Sequence, residues 1–157
     1  MILKIWQFIN ILLSALVVGV FWGPWLGLSR SIASFPPETF LAIGQKMIAN
    51  LAPVMPVLMP FAILSTLPGL FLMWRRRSAA FHLTLVGFLL FVTALVVTLV
   101  VEVPIDNTIK AWTVASLPPD CSQLRDRWET FHVIRTFASV TGLALILAGA
   151  VWQAPSA

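Results

Sequence analysis

The sequence predicts an all-α membrane protein: a polytopic four-helix bundle with a polar outer segment between helices 3 and 4. Of its 157 residues, 59% are hydrophobic and only 10% are charged, whereas soluble domains carry about 25% charged residues. Four windows without charged residues, 5–29, 47–74, 78–101 and 136–157, each reach the roughly 20 residues that a helix needs to cross the hydrocarbon layer. A membrane β-barrel is not indicated, because these windows are continuously apolar rather than alternating.

The four windows define one predicted domain over residues 1–157, with spans at about 5–28, 51–74, 79–101 and 131–152. The first span follows Lys4 and has some likeness to a signal peptide. Its apolar run is too long for one, however, and it contains three tryptophans, so we expect an uncleaved span. No internal repeat relates the two halves, so an inverted-repeat transporter is not indicated.

The short loop between spans two and three carries Arg75, Arg76 and Arg77. Short basic loops stay in the cytoplasm, so both termini are predicted to be cytoplasmic and residues 30–46 and 102–135 to lie outside. The predicted location is a bacterial inner (plasma) membrane. The net charge of +4 is otherwise dispersed, and we therefore expect no nucleic-acid partner.

Tryptophan positions agree with this layout, because the indole ring prefers the interface between headgroups and hydrocarbon. All seven tryptophans fall at or near predicted span ends. The inner group is Trp6, Trp74 and Trp152, and the outer group is Trp22, Trp25, Trp112 and Trp128.

The segment after span one runs through a Pro-Pro pair into residues 38–50, where Phe40, Met47 and Leu51 share one helical face. This pattern predicts an amphipathic helix at the membrane interface, for which plain anchoring and a lid over a ligand are both open interpretations. Span two then carries four prolines, so we expect it to kink. The prolines are Pro53, Pro56, Pro60 and Pro68.

Polar chemistry is concentrated between spans three and four, which hold five of the six acidic residues. Span three is predicted to end at Pro104, with Asp106 and Asn107 forming a turn. Glu102 is then left at the membrane boundary, where it needs a partner. The five acids are Glu102, Asp106, Asp120, Asp126 and Glu129.

Span four is predicted to begin outside the membrane, with Asp120 as N-cap and Gln123 completing a capping box. At about 100° per residue, one face of this helix carries Arg125, Trp128, His132 and Arg135.

Arg135 approaches the hydrocarbon and should pair with Glu102, which would lock spans three and four together. The alternative is that the cluster reacts, with His132 as general base beside an arginine that stabilises an anion. We expect no cofactor and no metal. His82 lies about 30 Å of bilayer away, and Cys121 is the single cysteine.

The motifs Val103-Pro-Ile-Asp-Asn107, Trp112 and Arg127-Trp-Glu-Thr-Phe-His132-Val-Ile-Arg135 resemble the anthrone-oxygenase-like membrane proteins. The likeness is best over residues 102–142 and extends loosely over most of the chain. It implies oxidation of an anthrone-like, lipophilic phenolic or polycyclic compound by O2, without a metal or flavin.

The resemblance also implies roles for individual residues. His132 would remove a proton, Arg135 with Asn107 would hold the enolate oxygen, and Trp112 or Trp128 would stack on the rings. The predicted catalytic residues are therefore His132, Arg135, Asn107 and Glu102, and the predicted substrate contacts are Trp112, Trp128 and Arg125.

Two other functions stay open on the sequence. The first is a non-catalytic scaffold or accessory subunit, whose polar segment binds a partner subunit or a second copy in a homo-oligomer. The second is a small lipid or quinone carrier, since the kinked span two allows a path between helices. The bilayer is the expected partner in every case. A lipophilic small molecule is a further partner of an oxygenase or a carrier, and a second copy or a partner subunit is a further partner of a scaffold.

Overall fold

The computed structural model of the protein describes residues 2–152, and this part of the chain contains helices and no strands. The prediction of an all-α fold is confirmed. The α-helices are α1 (Ile2–Gly27), α2 (Pro37–Leu51), α3 (Met55–Leu64), α4 (Thr66–Met73), α5 (Ala79–Val97), α6 (Val103–Ala111) and α7 (Cys121–Val151). Residues 153–157 of the fourth apolar window lie outside the described part.

Within residues 2–152, four segments are long and apolar enough to cross a membrane: Ile2–Ser34, Met55–Met73, Ala79–Ala111 and Cys121–Val151. They correspond to the four predicted spans. Four such segments indicate an integral membrane protein. The second segment starts at Met55 rather than at residue 51, because residues 52–54 form a turn around Pro53.

Span two is interrupted, as its prolines predicted. Helix α3 ends at Leu64 and α4 begins at Thr66. Leu64 lies four residues before Pro68, which has no N–H to donate to the Leu64 carbonyl. Asn10 of α1 reaches this break, where its side-chain amide lies 3.0 Å from the Ala62 carbonyl and 2.8 Å from the Thr66 hydroxyl. Polar groups at the break are thus bonded to a side chain inside the protein, as is favoured in hydrocarbon surroundings.

Spans three and four pack at very short range through glycines. A methyl group on Gly87 of α5 would lie 2.7 Å from the Gly142 carbonyl oxygen of α7, and one on Gly149 would lie 2.6 Å from the Thr84 hydroxyl. Small residues let helix backbones approach each other in membranes. This contact fixes α7 against α5 and so sets which residues of the two helices face each other further along.

The third span continues past Pro104, so the predicted helix stop and the Asp106–Asn107 turn are wrong. Residues Thr98–Glu102 form a π-helical segment, in which the Val103 N–H bonds to the Thr98 carbonyl five residues back. Helix α6 follows with Pro104 in its first turn, where a missing N–H costs little. The wider π turn relieves the clash that a proline ring causes inside an α-helix.

The predicted amphipathic helix is α2, and it packs on the polar end of the bundle. Its Phe40 and Ile48 are buried with Ile109 of α6 and Trp128 of α7. The Gln45 side chain donates to the Ile109 carbonyl at 3.0 Å and also to the Trp112 carbonyl. The helix is therefore bonded to the protein itself, in addition to any contact with lipid.

Helix α7 begins where expected, but without the predicted capping box. Asp120 occupies the N-cap position and makes no side-chain capping bond. The Gln123 N–H donates to the Asp120 backbone carbonyl at 2.9 Å, which already satisfies the donor that a capping carboxylate would bind.

Candidate functional site

A cavity of about 480 Å³ lies among α1, α2, α3, the π segment, α6 and α7. Its walls are mainly aliphatic and methionine side chains, and its polar groups are gathered toward one end. This size and composition are typical of sites for small lipophilic molecules. The polar lining residues are Ser29, Thr98, Asp106, Lys110, His132 and Arg135.

One edge of the cavity reaches the outside of the bundle. Leu99 and Val103 both line the cavity, yet they are 58% and 39% exposed. Ala52 and Pro56, which line it from the second span, are also exposed. This edge is entirely apolar, and it lies between spans two and three.

The predicted ion pair between spans three and four is present. Arg135 Nη2 lies 3.0 Å from Glu102 Oε2, and Glu102 is fully buried. The guanidinium carbon also sits 4.7 Å from the centre of the Phe21 ring on α1, a cation–π distance. The charge of Arg135 is therefore enclosed by protein on several sides.

His132 is held directly by Arg135. Arg135 Nε and Nη2 lie 3.3 Å and 3.1 Å from His132 Nδ1. The imidazole stacks on Trp128 with an interplanar angle of 22° and meets the Phe21 ring edge-on. His132 is buried, and its Nε2 atom makes no hydrogen bond within residues 2–152.

Asp106 completes the cluster, and the sequence reasoning missed it. Trp128 Nε1 donates to Asp106 Oδ1 at 3.0 Å, and both residues line the cavity. The sequence predicts that the helix ends at Pro104, and this expectation places Asp106 in a turn. The available signal was its spacing of four from Glu102, which places both carboxylates on one face of a continuing helix.

A sequence model of a known family, described as anthrone oxygenase, matches residues 46–145. The matched stretch is more than half of the chain and contains every residue of the cluster except Phe21. The protein belongs to the anthrone oxygenase family. No curated protein and no solved structure gives a significant match.

Three residues that the sequence predicts to contact substrate or enolate do not line the cavity. Asn107 is exposed and accepts a bond from Lys110 Nζ at 3.4 Å. Arg125 pairs with the neighbouring Asp126, and Trp112 packs half-buried beside the cluster around Ile109. None of the three lines the cavity.

The structure therefore brings together four of the seven predicted site residues: Glu102, Trp128, His132 and Arg135. Thr98 joins them, because Arg135 Nη1 donates to its hydroxyl at 3.4 Å. His82 lies in the first turn of α5, at the far end of this span from Glu102, with Nδ1 3.0 Å from the Ser78 carbonyl. Among residues 2–152, no group of three or more His, Cys, Asp or Glu side chains could hold a metal ion.

Proposed function

We propose that the protein binds a lipophilic phenolic or polycyclic molecule in the cavity and oxidises it with O2, without a cofactor. The observation that carries this proposal is the apolar cavity whose one end holds a buried, charged cluster. Membership of the anthrone oxygenase family supports the same chemistry. Fused aromatic rings suit the apolar walls, and a ring oxygen suits the polar end.

The proposed reaction converts a ring CH2 group opposite a carbonyl into a second carbonyl. A protein group removes one CH2 proton, and the remaining electron pair is delocalised onto the carbonyl oxygen. The resulting anion transfers electrons to O2 and forms a carbon–oxygen bond. One oxygen atom of O2 stays in the product, and the other leaves as water with the two hydrogens of the CH2 group.

The protein's contribution is to stabilise the anion. The fixed positive charge of Arg135 and the N–H groups of the cluster lie where charge develops on the ligand oxygen, inside a site with little water. Trp128 lines the same end and offers a ring for stacking. The aliphatic walls keep the rings in place while the anion meets O2.

The test uses anthrone as the probe, with the purified full chain in lipid nanodiscs under ¹⁸O2. We expect anthraquinone to form with one labelled oxygen, faster than in empty nanodiscs, which measure spontaneous oxidation. Leu51→Trp, which fills the cavity, should abolish the enhancement. Leu145→Trp, a similarly half-buried leucine outside the cavity, is the matched control and should retain it.

The proposal fails if the double variant His132→Ala/Arg135→Ala still oxidises anthrone at the full rate. It also fails if the wild type gives no enhancement over empty nanodiscs. In the second case, native mass spectrometry would separate the remaining functions: a retained lipophilic ligand favours a carrier, and a retained protein subunit favours a scaffold.

A further inference from the structure

The contact between Arg135 and His132 defines which imidazole nitrogen carries a proton. A guanidinium has only N–H donors and no acceptor. Because two of these donors point at His132 Nδ1, Nδ1 must present its lone pair. A neutral His132 in this arrangement therefore carries its proton on Nε2.

Arg135 has little freedom to turn away from this position. Glu102, fully buried, holds one end of the guanidinium at 3.0 Å. The Thr98 hydroxyl donates to the Ala94 carbonyl at 2.8 Å, so it can only accept from Arg135. An ion-pair partner and two hydrogen-bond acceptors, on two spans, thus fix the guanidinium. The guanidinium in turn fixes the imidazole.

The other edge of the imidazole is enclosed by protein. His132 Nε2 is buried and makes no hydrogen bond within residues 2–152 that meets the geometric criteria, while the Phe21 backbone lies close enough to act on the ring. A carbonyl nearby is compatible with an N–H at Nε2 and not with a second lone pair. Neither nitrogen of His132 is therefore open to a substrate proton.

We propose that Asp106 is the group that accepts the substrate proton, and that His132, occupied at Nδ1 by Arg135 and enclosed at Nε2, serves to hold Arg135 in position. This assignment rests on the proposed function, and it reverses the role that the resemblance implies for His132. The Nδ1 lone pair of His132 is occupied by Arg135, whereas Asp106 is the carboxylate that lines the cavity. Its Oδ1 is oriented by the Trp128 N–H.

The proton then moves from the ligand CH2 group to the Asp106 carboxylate, which becomes a neutral acid. The electron pair of the broken bond moves to the ligand oxygen, where the charge of Arg135 stabilises it. Glu102 and His132 are positioning residues, since they act on the ligand only through Arg135.

The tautomer can be measured without any ligand, because the chain has two histidines. ¹⁵N NMR of histidine-labelled protein in nanodiscs, with His82→Gln to assign the signals, reports which nitrogen carries a directly bonded proton. We expect the His132 proton on Nε2 only. In Arg135→Met the preference should weaken or be lost. A proton on Nδ1, or on both nitrogens, in the wild type would overturn the assignment.

The proton acceptor is tested by two near-isosteric variants with anthrone as the probe. Asp106→Asn keeps an acceptor for Trp128 and should lower kcat by about 10²–10⁴-fold, the usual contribution of a general base. His132→Gln keeps an oxygen that can accept a hydrogen bond from Arg135 and should lose about 10-fold or less, while His132→Leu removes that acceptor and should lose more. Asp120→Asn, at the exposed helix start, is the control for Asp106→Asn.

The reverse order of the two losses, with His132→Gln inactive and Asp106→Asn active, would restore His132 as the base and overturn the proposal. Thermal unfolding of each variant in nanodiscs identifies a loss that comes from misfolding. If the wild type does not oxidise anthrone, the role of Asp106 fails together with the proposed function. The NMR result still decides the arrangement of Arg135 and His132 independently.

Discussion

Removing the Glu102 carboxylate should destabilise the protein strongly, because it leaves the charge of Arg135 enclosed without its counter-ion. The two groups are 3.0 Å apart, Glu102 has no exposed surface, and the Arg135 side chain is 12% exposed. Unit charges about 4 Å apart attract each other by about 4 kcal/mol at an effective dielectric constant near 20. Breaking buried pairs costs about 3–5 kcal/mol in proteins. We expect Glu102→Gln to cost about 3 kcal/mol, at the lower end, because His132 and Thr98 still bond Arg135.

The free energy of unfolding is measured by denaturant titration in mixed micelles, as a double-mutant cycle with Arg135→Met. The double variant should recover much of the stability that Glu102→Gln loses, since it no longer leaves a buried charge without a partner. Glu38→Gln, an exposed acid in the first turn of α2, is the control and should change little. A cost below about 1 kcal/mol for Glu102→Gln, or a double variant as unstable as the sum of its single changes, would refute the reasoning.

Three further outcomes follow from the packing. Gly87→Ala should lower the free energy of unfolding by about 1–3 kcal/mol, because the added methyl group overpacks against α7. The control is Gly19→Ala, at a position with open space around it, and it should be neutral or slightly stabilising in the same titration. Asn10→Leu should cost roughly 0.6–1.7 kcal/mol, the range for hydrogen bonds between membrane helices, because it removes the bonds to the break in span two; an unchanged midpoint would contradict this. Trp128→Phe keeps a ring beside His132 but deletes the donor to Asp106. The kcat with anthrone should therefore fall, while the midpoint of unfolding changes little. Equal kcat values for the variant and the wild type would show that the bond does not orient the carboxylate.

The fold was predictable because each span is specified by many apolar residues in one long stretch of the sequence. Each span is a continuous apolar stretch, and hydrocarbon admits only helices or closed barrels. The pairing of Glu102 with Arg135 was predictable for the same reason, since a charge at membrane depth requires a partner. A charged residue at membrane depth can be recognised from one sequence, and so can its need for a partner.

The site was less predictable, because it depends on how one helix tolerates a proline. The local rule for Pro104 favours a helix end, and the π segment that lets the helix continue has no simple sequence signature. Once the helix continues, Asp106 rather than Asn107 faces the cavity. The packing of α2 on α6 depends on Gln45 and on buried apolar contacts, which amphipathicity alone does not distinguish from contact with lipid.

The apolar edge where Leu99 and Val103 are exposed has a consequence for any kinetic measurement. On the proposed function, the ligand enters the site from the bilayer at this edge, and the concentration that fills the site is moles of ligand per mole of lipid. Adding empty vesicles at constant total anthrone should therefore slow the reaction when the site is not saturated. The same anthrone is then spread over more lipid, although the aqueous volume is unchanged. Affinities for this protein are best expressed as mole fractions in the membrane.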